Sequence, residues 1–260
     1  MPTCSPASGP APCACAASPG RRTFSSRCEA RRSSVAPSRS RTSRGSSGSR
    51  KPRRESGDPE SSVGAQVTVA TDEIYEKYLQ KAITEINALG DEVVQAGGGA
   101  RVPVVGSGHP LADVMLLKYA PRPSELQEGV AFFGRSGNAI LKSLQRLHVD
   151  PMAIYGTNCL KFADGPEEES RPFLLRELHI VAPKLIVVMG EQALAFLNGL
   201  GFPLGQALQA KEGERQSFTP TIEALVTPDI DASLDEQAEK TRFWNAFKPL
   251  GAWWESLPPY

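Results

Sequence analysis

The run at residues 184–189 (KLIVVM) is apolar at every position after the first and stops at Gly190. A strand with one solvated face alternates apolar and polar side chains. One that does not alternate must be covered on both faces, as central parallel strands are. Parallel neighbours need a crossover between them, usually a helix. This segment therefore asks the chain to alternate strands with helices, and it does. Further strand candidates are 112–117 (ADVMLL), 153–160 (AIYGTNCL) and 222–226. Helical spacing carries Ile74, Tyr78, Leu79, Ala82, Ile83, Ile86 and Leu89 on one stripe, behind a cap at Thr71 or Asp72. Another helix starts near Gly137 with Ile140, Leu141, Leu144 and Leu147 on one face, and others are expected at 172–181, after Gly190 and at 241–254. The expected fold is α/β, a three-layer α/β/α sandwich around a mostly parallel four-stranded sheet.

Ligands of such sheets bind beyond the carboxyl ends of the strands. The loops that matter are then 118–137, 157–171 and 226–234.

Charge is unevenly distributed. Residues 1–60 hold eleven Arg and one Lys against Glu29, Glu55, Asp58 and Glu60, a balance of +8, and the remaining 17 basic and 25 acidic residues give −8. A basic stretch attracts phosphate without reading sequence, whereas the overall field of an acidic domain repels a polyanion. Residues 1–66 are rich in Ser, Arg, Pro, Ala and Gly, with no apolar periodicity to offset the entropy of ordering. They are expected to be a disordered tail, a transit peptide or translated sequence upstream of a later start, and the folded domain is expected over 70–258. Four of the five cysteines, Cys4, Cys13, Cys15 and Cys28, lie in that stretch, so the domain has only Cys159 and no internal disulfide. Cys13 and Cys15 are too close and too isolated to read as a zinc site, and no apolar run reaches the length of a membrane span.

The three loops resemble motifs of the uracil-DNA glycosylase superfamily, most closely its family 4. That family reads Gly-Glu-Ala-Pro-Gly, then Glu-Asp, then Gly-x-Pro-Phe-Val-Gly-x-Ala-Gly. Here KYAPRPSELQEGVAFFGRSG (118–137) aligns without gaps and keeps Ala120, Pro121, Glu125, Gly129, Phe132, Gly134 and Gly137. The family's Thr-Asn strand end and Val-x-Lys-Cys segment correspond to Thr157, Asn158 and Lys161-Phe162, and its His-Pro-Ser to Thr227-Pro228-Asp229. The resemblance covers roughly residues 101–257.

It implies a protein that flips a base out of DNA into a tight pocket. Phe132 would stack under the base, and Asn158 would read its edge with an amide that offers donor and acceptor together. Tyr119, Ala120 and Pro121 would wall the pocket. Glu125 would orient water, and Thr227 stands where a donor would stabilise the leaving anion. Each has a plainer reading: core for Phe132 and Phe133, a loop cap for Asn158, a solvated charge for Glu125. Arg135 and Lys161 read as phosphate contacts or as surface charges.

The departures fall on the chemistry. Tyr119 replaces the first-motif Glu, Arg122 the following Gly, Leu126 the Asp of Glu-Asp, and Thr227 the His. Family 4 also holds an iron–sulfur cluster on four cysteines. Phe162 and Ser170 stand at two of those positions, and no Cys lies between residues 29 and 158, so no cofactor or metal is expected. Two functions stay open: hydrolysis of the N-glycosidic bond of uracil or a damaged base in DNA repair, or a catalytically degenerate protein that binds a base, nucleic acid or a protein partner. An unrelated α/β hydrolase is disfavoured, since there is no Gly-x-Ser-x-Gly elbow or Walker loop. The expected partner is DNA, through weak or local contact, with no membrane, for a monomer that is cytoplasmic unless the tail is a transit peptide, and organellar if it is.

Overall fold

The computed structural model describes residues 60–258, with side chains from residue 73 onward. The tail readings and the tail cysteines fall on residues 1–59 and so lie outside the described residues, apart from 60–66, which belong to the first helix. That helix, α1 (Glu60–Ala96), starts directly after Pro59 and contains no proline, so nothing interrupts it at the expected Thr71–Asp72 cap. Its stripe meets the domain in the C-terminal half. Ala82, Leu89 and Val93 are buried, while Ile74, Tyr75 and Tyr78 are exposed.

The sheet runs in the order β1-β3-β2-β4-β6-β5, with β1 (Ser107–Gly108), β2 (Val114–Lys118), β3 (Ile154–Asn158), β4 (Leu185–Met189), β5 (Arg215–Ser217) and β6 (Glu223–Thr227). The four central strands are parallel, as the apolar runs require, and the two short edge strands are antiparallel. The expected four strands are thus the centre of a six-stranded sheet. On one face, α4 (Glu167–Val181) and α5 (Glu191–Asn198) bury Leu174, Leu178, Leu194 and Phe196 against Met115, Leu117, Ile186 and Val188, with Ile86 of α1 packed alongside. On the other face, α3 (Arg135–Arg146), α7 (Gln237–Phe247) and α8 (Pro249–Glu255) bury Ile140, Leu144, Phe243, Phe247 and Trp253 against Val114, Leu116, Val187 and Leu225. Short helices α2 (Pro123–Glu128) and α6 (Ile230–Ser233) follow β2 and β6.

Two further helix boundaries differ from the sequence reading, and both involve proline. The helix expected at 172–181 begins at Glu167, so Pro172 lies inside it and forgoes the N–H bond to the Glu168 carbonyl. Its first turn carries Glu167, Glu168 and Glu169, the charge that a helix N-terminus favours. The single helix expected at 241–254 is broken at Pro249 into α7 and α8.

Register fixes the site. Asn158 pairs with Lys118, Lys118 with Met189, and Met189 with Thr227, so the last residues of all four parallel strands form one row. At about 4.8 Å between strands, Thr227 stands roughly 14 Å from Asn158.

Candidate active site

Lys118 ends β2 with its side chain 1% exposed, a costly place for an ammonium unless it is paired. Its Nζ lies 2.8 Å from Glu125 Oε2 and 2.9 Å from Asp231 Oδ2, and Asp231 also meets Arg122 Nε at 3.1 Å. Glu125 is fully buried, so it is not the solvated loop charge of the plainer reading. It sits in the first turn of α2, where its Oε2 accepts from the backbone N–H of Arg122 at 2.8 Å and its Oε1 from that of Phe132 at 2.5 Å. The carboxylate therefore closes the turn at the start of α2, holds the 130–134 loop and neutralises Lys118.

Phe132 is held by its backbone. Its φ is +59°, in the left-handed region, and its ring edge passes so near Gly156 of β3 that a Cβ there would meet Cδ2 at 2.7 Å. Lys118 Nζ lies over the ring, 5.6 Å from its centroid. Asn158 is fully buried at the end of β3. Its Nδ2 stands 3.5 Å from Glu125 Oε2, and its Oδ1 has no hydrogen-bond partner. Phe132, Asn158 and Glu125 thus come together as the loops implied, with Lys118 among them.

Tyr119 and Thr227 lie elsewhere. Both line a cavity of about 610 Å³ beyond β4 and β6, whose other charged walls are Glu191, Glu212, Asp229, Glu239 and Arg242. Thr227 is buried, with its hydroxyl 3.4 Å from the Val188 carbonyl as donor. Ala120 packs partly buried against the α4–α5 core, and Pro121 is buried in the turn into α2. The Tyr119 hydroxyl donates to Glu167 Oε1 at 2.8 Å. That bond, followed by partial burial and the Glu167 charge, pushes the phenol up to about 12. A phenol raised above its unfolded value stabilises the fold below pH 10, and this contribution fades as pH rises toward 12. Denaturant titrations should therefore show a shallower loss of stability over pH 10–12 in Tyr119→Phe than in the wild type. An equal slope would remove the bond from the account.

The model of the uracil DNA glycosylase superfamily matches residues 105–248, more than half of the chain. The chain belongs to the uracil-DNA glycosylase superfamily. Two relatives are type-4 uracil-DNA glycosylases. That of Sulfurisphaera tokodaii is 26% identical over 160 residues, covering 54% of this chain and 73% of its own. That of Archaeoglobus fulgidus is 23% identical over 159 residues, covering 57% and 80%.

Phe162 and Ser170 stand at two positions that correspond to cluster ligands of family 4. Phe162 is buried, with the Arg101 guanidinium 4.2 Å from its ring centroid, and Arg101 grips Glu169 through both nitrogens at 2.5 and 2.7 Å. Ser170 Oγ accepts from the Lys161 backbone N–H at 3.0 Å. Neither residue supplies a thiolate, and burial pushes the thiol of Cys159 well up. The described residues do not fit an iron–sulfur cluster.

Lys161 was open as a phosphate contact or surface charge, and it is neither. Its Nζ is fully buried, donating to Glu177 Oε2 at 2.6 Å, Thr157 Oγ1 at 2.7 Å and the Asn158 carbonyl at 3.0 Å. Glu177 also accepts from Tyr155 and Thr157. Arg135 is exposed and paired with Asp235. Sequence reasoning missed Lys118, Asp231 and Glu177. The signal for the first was present, since Lys118 stands at the opening Gly of the family's first motif. No helix among the described residues is long and apolar enough to cross a membrane.

Proposed function

We propose that this superfamily member is the catalytically degenerate protein of the two readings: it associates with DNA but does not excise uracil at a useful rate. One observation carries this. Both oxygens of Glu125, the carboxylate beside Phe132 and Asn158, are engaged by Lys118, Arg122 N–H and Phe132 N–H. A water-activating carboxylate needs a lone pair that water can reach, and Glu125 is 0% exposed. The rest of the site agrees. Thr227 is neutral, short and bonded to Val188, and Tyr119 offers a phenol tied to Glu167 where a carboxylate would serve. Losing one donor to a developing anion typically costs on the order of 10²–10³ in rate. For DNA, the acidic lining of the large cavity is unhelpful, and the basic residues of 1–60 are the source of phosphate attraction.

The test is single-turnover excision from single-stranded and mismatched uracil oligonucleotides, with protein in excess and an active type-4 enzyme alongside. A rate at least about a hundredfold below that enzyme is expected, together with binding to the same oligonucleotides that weakens steeply with salt. Excision at the comparator's rate would end this reading.

A further inference from the structure

We propose that Lys118 is a plug: its side chain occupies the space in which a base would stack on Phe132, and it, rather than the loss of recognition groups, keeps that site shut. The inference deepens the reading just given of the same site and rests on it.

Aromatic faces stack at about 3.5 Å, so a base on Phe132 needs clear space to about 7 Å above the ring. The Lys118 ammonium lies over that ring at 5.6 Å from its centroid. A base stacked on that face would need the volume that the ammonium holds. Solvent exposure gives the same answer. Asn158 and Glu125 are 0% exposed and Lys118 is 1% exposed, so the amide is closed to solvent, and the lysine shares its Glu125 partner with that amide. The cavity that Phe132 does line, with Leu116, Ile140, Leu144 and Ile154, is apolar and opens between α3 and the sheet. The plug is held from two sides, by Glu125 at 2.8 Å and by Asp231, itself tied to Arg122, at 2.9 Å.

The second observation is Asn158 Oδ1. A buried acceptor with no donor is rare and is a cost to the fold. Oδ1 belongs to the amide whose nitrogen faces Glu125, so the recognition edge is intact and lacks only an N–H to receive. The imide N–H of a uracil ring is a donor of that kind.

The experiment is binding of free uracil, followed by saturation-transfer NMR and titration calorimetry, to the full chain and to Lys118→Gly and Lys118→Ala. When the competent state is a small fraction of the population, apparent affinity falls by that fraction, so opening the site should tighten uracil binding by at least about tenfold. The gain should vanish when Asn158→Ala is added. Removing Lys118 strands a buried carboxylate, so Lys118→Gly with Glu125→Gln provides a second open variant, and circular dichroism confirms folding of each. Folded variants that bind uracil no better than the wild type would overturn the plug. The excision assay separates the two claims. A wild type that excises uracil defeats the function proposed above, and loss of that excision in Lys118→Ala would make the lysine a catalytic donor, overturning the plug as well.

Discussion

Lys161→Met is expected to destabilise the domain by about 3–5 kcal/mol, because it leaves the buried carboxylate of Glu177 without its cation. The side chains of the pair are 0% and 5% exposed, so water cannot solvate what the substitution strands. Tyr155 and Thr157 would still donate to Glu177, which places the effect toward the lower end of that range. The control is the double variant with Glu177→Leu, which removes both charges. It should cost less than the sum of the single variants, with a coupling of about 1–3 kcal/mol. Urea denaturation with an unchanged slope is the measurement. A Lys161→Met midpoint within 1 kcal/mol of the wild type, an order-of-magnitude bound on an ordinary surface change, would mean the pair contributes little.

Glu125→Ala should be comparably costly, and it decides what Glu125 is for. A carboxylate kept for chemistry is often neutral to stability or a burden on it, since catalytic groups are held in strained or poorly solvated places. The geometry here assigns the opposite. Glu125 closes the first turn of α2, accepts from Phe132 in the next loop and balances Lys118. Removing it leaves a buried ammonium with Asp231 as its remaining carboxylate, and two backbone donors without an acceptor at about 1–3 kcal/mol each. A loss of about 3–5 kcal/mol is expected from breaking the buried pair alone. Glu125→Gln should fall between Ala and the wild type, since an amide oxygen can serve one of the two N–H groups. Thermal and urea unfolding of the three proteins test the order. A Glu125→Ala variant as stable as the wild type would return the residue to a catalytic role.

The central sheet was legible because its strands are runs such as Leu185–Met189, whose composition leaves no face for water. β1 and β5 were not, because two or three residues, none of them buried, carry no periodicity. The break at Pro249 was legible and was passed over, since the aromatic stripe of Phe243, Phe247 and Trp254 continued across it. In the site, Phe132 and Asn158 were placed by motif, and the structure brings them together. Lys118 was lost because a charged residue after an apolar strand reads as the start of a loop. Its partners lie seven residues on and, at Asp231, beyond a further four strands. Glu177 was lost for a related reason. On the α4 sequence it is one charge among several, and only the fold shows that it faces inward toward Lys161.

The left-handed backbone at Phe132 has a consequence for time as well as shape. A non-glycine residue with φ near +59° costs about 1–2 kcal/mol, and it persists because the flanking contacts over-determine it. The ring is therefore aimed by the main chain, with Gly156 beneath its edge and Glu125 fixing its N–H. On the plug proposal, access to its face requires the four-carbon arm of Lys118 to leave its ion pairs with Glu125 and Asp231. Nanosecond rotamer hops belong to exposed side chains, so a buried, doubly paired lysine moves more slowly than that. A guest arriving there would meet a platform already set, with no segment to freeze on arrival and so little ordering entropy to lose.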